Sequence, residues 1–136
     1  MSKKNLSFLL MDGPFEQART TTAFRMIDAA LDKGHDVKVF TYEGGVSLAF
    51  AHQKPHANSV HGRTFDEENH PLTKDWVTAL FNKAKSKGCE LEWVNCGLCV
   101  DERGVNEAVE GCRRGAPKDF WEWSKDASGT LVIGTK

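Results

Sequence analysis

Short apolar runs alternate with amphipathic segments along the whole chain, and this alternation restricts the possible folds most strongly. Four runs have the composition of strands, namely residues 6–11, 37–42, 89–95 and 130–133. Four segments have helical character, namely residues 16–33, 72–87, 105–112 and a segment that begins at Pro117. Alternating strands and helices predict an α/β fold, with a mostly parallel sheet and helices on both faces. The length of 136 residues is that of a single domain.

Charge and hydropathy exclude several classes of protein. A net charge of -1 gives no global field for a nucleic acid or a membrane surface. No apolar run approaches the roughly 20 residues of a membrane span, and the run at 6–11 is too short for a signal peptide. We therefore expect a cytoplasmic protein, in which thiols stay reduced. Its four cysteines then need a chemical explanation.

The segment 52–71 shows little periodicity and contains four histidines, His52, His56, His61 and His70. Pro55 makes a shared helical face for the first two unfavourable, and no spacing matches a zinc motif. A structureless stretch of this length is typical of a lid, a subunit contact or a disordered segment. We interpret it as a solvated loop and predict no metal site.

Cys96 is the strongest candidate for a reactive residue. It follows the predicted strand 89–95, and ligands of parallel sheets bind beyond the carboxyl ends of the strands. A helix start there would favour an anion such as a thiolate. Arg103 could add positive charge, while Gly97 and Gly104 would let the backbone turn close to the sulfur. The other reading of Cys96 is a small buried hydrophobic residue.

Cys99 follows three residues later, so the two cysteines form a C-x-x-C pair. Such a pair can form a reversible disulfide, share a metal, or use its second thiol as a resolving group. A zinc site would need further ligands from Cys89, Cys112 or the histidines. Both of those cysteines lie in phase with apolar positions, which predicts that they pack in the core.

Two further loops could bind an anion or a substrate. Asp12, Gly13 and Arg19 follow the first strand, either as an anion-binding turn or as a tight turn with a solvated arginine. Gly44 and Gly45 follow the second strand and allow close approach of a backbone or a substrate, although an ordinary turn explains them equally well. Neither glycine-rich nucleotide-binding pattern is present.

The ten residues 96–105, CGLCVDERGV, resemble the active-site segment of the DsrE/DsrF/TusD sulfur-relay family. In that family a cysteine ends a strand and an Arg-Gly pair follows some residues later. Residues 12–15 with the helix after them, and residues 34–46, fit the same family, so the likeness covers about residues 5–115 and the last strand.

This resemblance implies a DsrE-like domain with five mostly parallel strands in a flavodoxin-like three-layer arrangement. It also implies a homo-oligomer, as a dimer, trimer or hexamer, and a cysteine that carries a persulfide, which by position is Cys96. The second thiol at Cys99 is absent from TusD-type members, and the 52–71 excursion is unusual. We therefore leave the pathway open.

Our first hypothesis is a sulfur-transfer protein that carries sulfur on Cys96 between donor and acceptor proteins, with no other cofactor and no direct contact with nucleic acid or membrane. A second hypothesis is a non-catalytic module that binds a metal or a partner through Cys96, Cys99 and the histidine-rich loop. A third is a dithiol redox protein.

Overall fold

A computed structural model describes residues 2–68 and 70–135. Within them five strands and four α-helices follow in the order β1 (Asn5–Leu10), α1 (Ala18–Asp32), β2 (Asp36–Thr41), α2 (Thr73–Lys87), β3 (Leu91–Cys96), α3 (Gly97–Arg103), β4 (Cys112–Gly115), α4 (Pro117–Asp126) and β5 (Gly129–Ile133). Two short 3-10 helices, Glu43–Ser47 and Ser59–His61, lie between β2 and α2. No helix in these residues is both long and apolar enough to span a membrane.

All strand pairs of the sheet are parallel, and the strand order is β4-β3-β2-β1-β5. On one face, α1 and α2 cover buried side chains that include Phe8, Val39 and Trp93. On the other face, Phe40 and Val94 pack with α3, α4 and the first 3-10 helix. The α/β prediction with helices on both faces is therefore confirmed, as is the expected number of strands.

The helix predicted over residues 105–112 is wrong. Gly104 has a φ of 66° and ends α3, and its amide bonds back to the carbonyl of Asp101. The chain then becomes extended, and Val109 N–H bonds to the Ala49 carbonyl before Cys112 begins β4. The apolar residues of this segment pack against the sheet core from a non-helical backbone. Their spacing fitted a helix by coincidence.

The segment 52–71 contains no α-helix in its described part, and its residues are mostly exposed. Asn69 lies outside the described residues. Before this segment, the 3-10 helix Glu43–Ser47 is followed by turns. This 3-10 helix starts directly after β2 and packs against α3. It therefore lies at the edge of the sheet where β3 ends.

Candidate functional site

Cys96 and Cys99 lie together at the carboxyl end of β3. Cys96 is the last residue of β3 and the N-cap of α3, and Cys99 is the third residue of that helix. An N-cap side chain and the third helical residue lie side by side in the first turn. The two residues are only 3% and 6% exposed, and both thiols are free. The C-x-x-C pair thus forms a buried dithiol at the ligand-binding edge of the sheet.

The surroundings of Cys99 favour its protonated form. Burial raises the pKa of Cys99 most, and the neighbouring Cys96 side chain raises it further.

Glu43 provides a second contact to Cys99, from the start of the 3-10 helix. Its backbone N–H donates to Cys99 Sγ at 3.2 Å, which acts to lower the pKa of that thiol. Glu43 has a φ of 52°, a left-handed conformation that is unusual for a residue other than glycine. Strain of this kind costs about 1–3 kcal/mol and persists only where surrounding contacts fix the backbone.

Arg103 makes contacts that hold Glu43 in this conformation. Its guanidinium donates to the Glu43 carboxylate and to the Cys99 carbonyl, each at 3.5 Å. Its charge also acts to lower the pKa of Cys99. Arg103 therefore joins α3 to the 3-10 helix across the second thiol.

Arg114, on β4, contacts the first turn of α3 from the other side. Its guanidinium donates to the Gly97 carbonyl at 3.2 Å and to both carboxylate oxygens of Asp101, at 3.0 and 2.9 Å. A Cβ atom on Gly97 would lie 3.0 Å from Arg114 Nη2, so glycine at this position admits the guanidinium. The pKa of Arg114 is raised mainly by Asp101, with a smaller contribution from Cys96, so a positive charge lies near the Cys96 sulfur.

Tyr42, just after β2, lies near the dithiol on the side of α4. The charges of Cys99 and Cys96 raise the pKa of its phenol. Tyr42 also lines a mostly apolar cleft of about 240 Å³. The other lining residues are Leu9, Met11, Phe40, Pro117 and Phe120. An apolar opening therefore adjoins the cluster that contains both cysteines.

Among the site residues expected from the sequence, Cys96, Cys99, Gly97 and Arg103 come together. Gly44 and Gly45 belong to the 3-10 helix that presents Glu43. Gly104 caps the far end of α3.

Three expected residues on the β1 side make other contacts. Asp12 is buried after β1, and Gly13 N–H donates to the Glu16 carboxylate at 3.2 Å. Arg19 donates to the Gly134 carbonyl at 3.1 Å. These contacts tie Gly13 and Arg19 to residues that flank α1 and β5.

Sequence reasoning missed Glu43, Tyr42 and Arg114. Arg114 was missed because the strand that carries it was not predicted. The polar run Cys-Arg-Arg-Gly at 112–115, just before a Pro-initiated helix, could have been interpreted as a short edge strand. Nothing in the sequence around Glu43 indicates its contact with Cys99.

The histidines of segment 52–71 make contacts of their own. His52 pairs with Glu107, and the His70 ring lies 4.3 Å from that of Phe15. Within residues 2–68 and 70–135, no three His, Cys, Asp or Glu side chains are grouped as metal ligands would be. The geometry therefore provides no support for a metal held by Cys96, Cys99 and the histidine-rich loop.

Comparison with known proteins matches the chain to a family and to individual relatives. The model of the DsrE/DsrF-like family matches residues 4–133. An uncharacterised protein of Methanopyrus kandleri is 27% identical over 130 residues, covering 94% of this chain and 93% of that protein. The "Putative sulfurtransferase DsrE" of Allochromatium vinosum is 26% identical over 105 residues, covering 76% and 68%.

The fold also matches a solved structure. The crystal structure of the ychN protein from E. coli superposes with a TM-score of 0.69 at 15% identity, over 97% of this chain and 99% of that one. At this identity the match shows a shared fold.

Proposed function

The chain belongs to the DsrE/DsrF-like family, and we propose that it is a sulfur-relay protein that carries sulfur as a persulfide on Cys96. The observation that carries the proposal is the place of Cys96, a buried free thiol at the carboxyl end of β3. The similarity to the Allochromatium vinosum protein supports the same reaction class.

The environment of Cys96 suits a nucleophilic sulfur. The thiolate is the reactive form of cysteine, and a nearby cation stabilises it. The Arg114 guanidinium, which donates to the carbonyl of the adjacent residue Gly97, supplies the cation. Asp101 holds the guanidinium through two hydrogen bonds, which fixes its position against the first turn of α3.

The transfer is an exchange of one sulfur atom between thiols. The Cys96 thiolate attacks the outer sulfur of a donor persulfide, R–S–SH, and forms Cys96–S–SH while R–S⁻ leaves. An acceptor thiolate then attacks the outer sulfur of Cys96–S–SH, and the Cys96 thiolate leaves. Each step breaks one S–S bond and forms another, so no external oxidant or reductant is needed.

The burial of Cys96 suggests how the sulfur reaches a partner. The outer sulfur of a persulfide lies about 2 Å beyond Sγ, which brings the reactive atom closer to the surface than the thiol. The apolar cleft beside Tyr42 offers an environment that a neutral persulfide tolerates. Donor and acceptor proteins would approach from this edge of the sheet.

The test is mass spectrometry after incubation with a small-molecule persulfide donor and removal of the excess. The wild type and Cys112→Ser should each gain the mass of one sulfur atom, and Cys96→Ser should not. Cys89, Cys96 and Cys99 lie between Lys87 and Arg103 on one tryptic peptide, so fragment ions must assign the added sulfur. Uptake by Cys96→Ser equal to that of the wild type contradicts the proposal, and so does a lack of uptake by both the wild type and Cys99→Ser, which lacks the second thiol of the site.

We also propose that the protein acts as a homo-oligomer. An apolar row crosses the sheet on the face covered by α4 and ends at the exposed side chain of Val132 on the edge strand β5. Trp121 on α4 is also exposed. A second copy could cover this surface.

A further inference from the structure

A relay through Cys96 requires one thiol, and the structure places a second one against it. We propose that Cys99 is a resolving thiol, which attacks the persulfide of Cys96, releases sulfide and closes a Cys96–Cys99 disulfide. This inference rests on the proposed persulfide at Cys96 and adds a second outcome, in which carried sulfur is discharged when no acceptor takes it.

The placement of the two sulfurs favours this attack. Residues 96 and 99 occupy the N-cap and third positions of α3, so their side chains lie side by side in the first turn. Both residues are almost completely buried, so external thiols reach the inner sulfur of the persulfide less easily than Cys99 does. Forming the disulfide therefore needs no rearrangement between separate elements of the fold.

Two groups stabilise Cys99 as an anion once its proton leaves. Glu43 N–H already points at Cys99 Sγ from 3.2 Å, although a neutral thiol is only a weak acceptor. Arg103 brings a positive charge to the same helix turn and holds the strained Glu43 in place. A left-handed backbone at Glu43, fixed so that its amide meets a sulfur, fits a thiol that must become a thiolate better than one that only fills space.

The reaction balances without any further oxidant. The Cys99 thiolate attacks Cys96 Sγ, the Sγ–Sγ bond forms, and the bond from Cys96 Sγ to the outer sulfur breaks. The outer sulfur leaves with the electron pair as HS⁻ and is thereby reduced, Cys99 Sγ is oxidised to the disulfide level, and Cys96 Sγ exchanges one S–S bond for another without a change of oxidation state. The proton of Cys99 passes to solvent. A dithiol reductant then returns the protein to the free thiols.

Arg103 has the role of a positioning residue in this step, because it acts through Glu43 and Cys99. We expect Arg103→Gln to release less sulfide per loaded Cys96 in a given time than the wild type does. A role confined to the stability of α3 would change loading and release together. The ratio of the two rates therefore distinguishes positioning from support of the fold.

The experiment follows loading and release separately, without oxygen and without an acceptor. The wild type, Cys99→Ser and Cys112→Ser are treated with a small-molecule persulfide donor and desalted, and sulfide and intact mass are followed over time. We expect the wild type and Cys112→Ser to release sulfide and to end as a disulfide that dithiothreitol reduces. Cys99→Ser should keep its added sulfur on Cys96.

The outcomes separate the two proposals. If Cys99→Ser loads sulfur on Cys96 and the wild type keeps its sulfur just as long, the relay proposal stands and the resolving role of Cys99 is overturned. Equal sulfide release from Cys99→Ser and the wild type also overturns that role. If neither protein takes up sulfur, the relay proposal fails, and the inference about Cys99 fails with it.

Discussion

The four cysteines differ in what surrounds each sulfur. Cys96 and Cys99 lie together in the first turn of α3, beside charged or polar groups, whereas Cys89 and Cys112 pack against the core between α2 and the sheet. Cys89 Sγ donates to the Leu31 carbonyl at 3.6 Å. Burial raises the pKa of Cys112 to about 12. A thiol with that pKa is protonated at neutral pH and is a poor nucleophile.

This shift of the Cys112 pKa predicts a loss of stability at alkaline pH. The unfolded thiol ionises near pH 8.5, while the native thiol keeps its proton until about pH 12. Between those values the native state binds more protons than the unfolded state, so the free energy of unfolding falls as pH rises. The contribution of this one group is at most about 1.4 kcal/mol per pH unit.

This effect can be measured by urea denaturation of the wild type and Cys112→Ala. The free energy of unfolding of each protein is determined at intervals of about one pH unit between pH 8 and pH 11. The stability of the wild type relative to the variant should fall steadily over this interval, because the other titrating groups cancel in the difference. Below about pH 8 the difference should stay constant. Parallel curves for the two proteins would show that the Cys112 environment does not hold the proton.

The 3-10 helix Glu43–Ser47 depends on close backbone contact with the end of β1. Gly45 N–H donates to the carbonyls of Met11 and Tyr42, at 3.2 and 3.0 Å. A Cβ atom at Gly45 would overlap the Leu10 carbonyl oxygen and lie 2.9 Å from the Leu10 carbonyl carbon. Since backbone atoms of a central strand cannot move aside cheaply, this position excludes larger residues.

We therefore expect Gly45→Ala to lower the free energy of unfolding by about 1–3 kcal/mol, the usual range for forced overpacking. Gly134→Ala is a matched control, because its added Cβ would have no heavy atom closer than Met11 Sδ at 3.9 Å. Urea denaturation of the three proteins provides the comparison. Equal losses in the two variants would mean that the 3-10 helix moves freely against β1.

The elements differed in how far the sequence could define them. β1 is mostly apolar, and β2 is rich in β-branched and aromatic residues, so composition alone identified them. β4 has four residues, two of them arginines, and forms an edge of the sheet, so neither hydropathy nor period 2 marks it. The segment before β4 packs apolar side chains from an irregular backbone, and this produced a helical spacing without a helix.

At the scale of the molecule, the sequence predicted the edge of the sheet at which the candidate site lies. It predicted only some of the residues that form the site. The alternation of strands and helices predicted that Cys96 lies at the carboxyl end of a strand. Its neighbours along the chain were predicted with it, namely Gly97, Cys99 and Arg103. Tyr42 and Glu43 directly follow β2, and Arg114 lies on β4. These two strands flank β3 on opposite sides. Their contacts depend on strand order and register, which no local pattern specifies.

Strand register also gives the strongest structural argument for a homo-oligomer. Leu9 pairs with Val132 on one side and with Phe40 on the other, and paired residues of adjacent strands share a face. α4 packs against β1 and β2, and Val132 on the neighbouring strand β5 is 59% exposed. Trp121 on α4 is 65% exposed. An apolar surface that is open at a sheet edge is typical of an interface between subunits.

We expect the wild type to sediment as a species larger than the 15.1 kDa chain, and Val132→Lys to shift it toward the monomer. A lysine there would have to be desolvated within the apolar contact, which opposes association. Met26→Lys is the control, since Met26 is exposed on α1, across the sheet from α4. Sedimentation velocity distinguishes the outcomes: a monomeric wild type, or equal dissociation of both variants, would contradict an interface at the β5 edge.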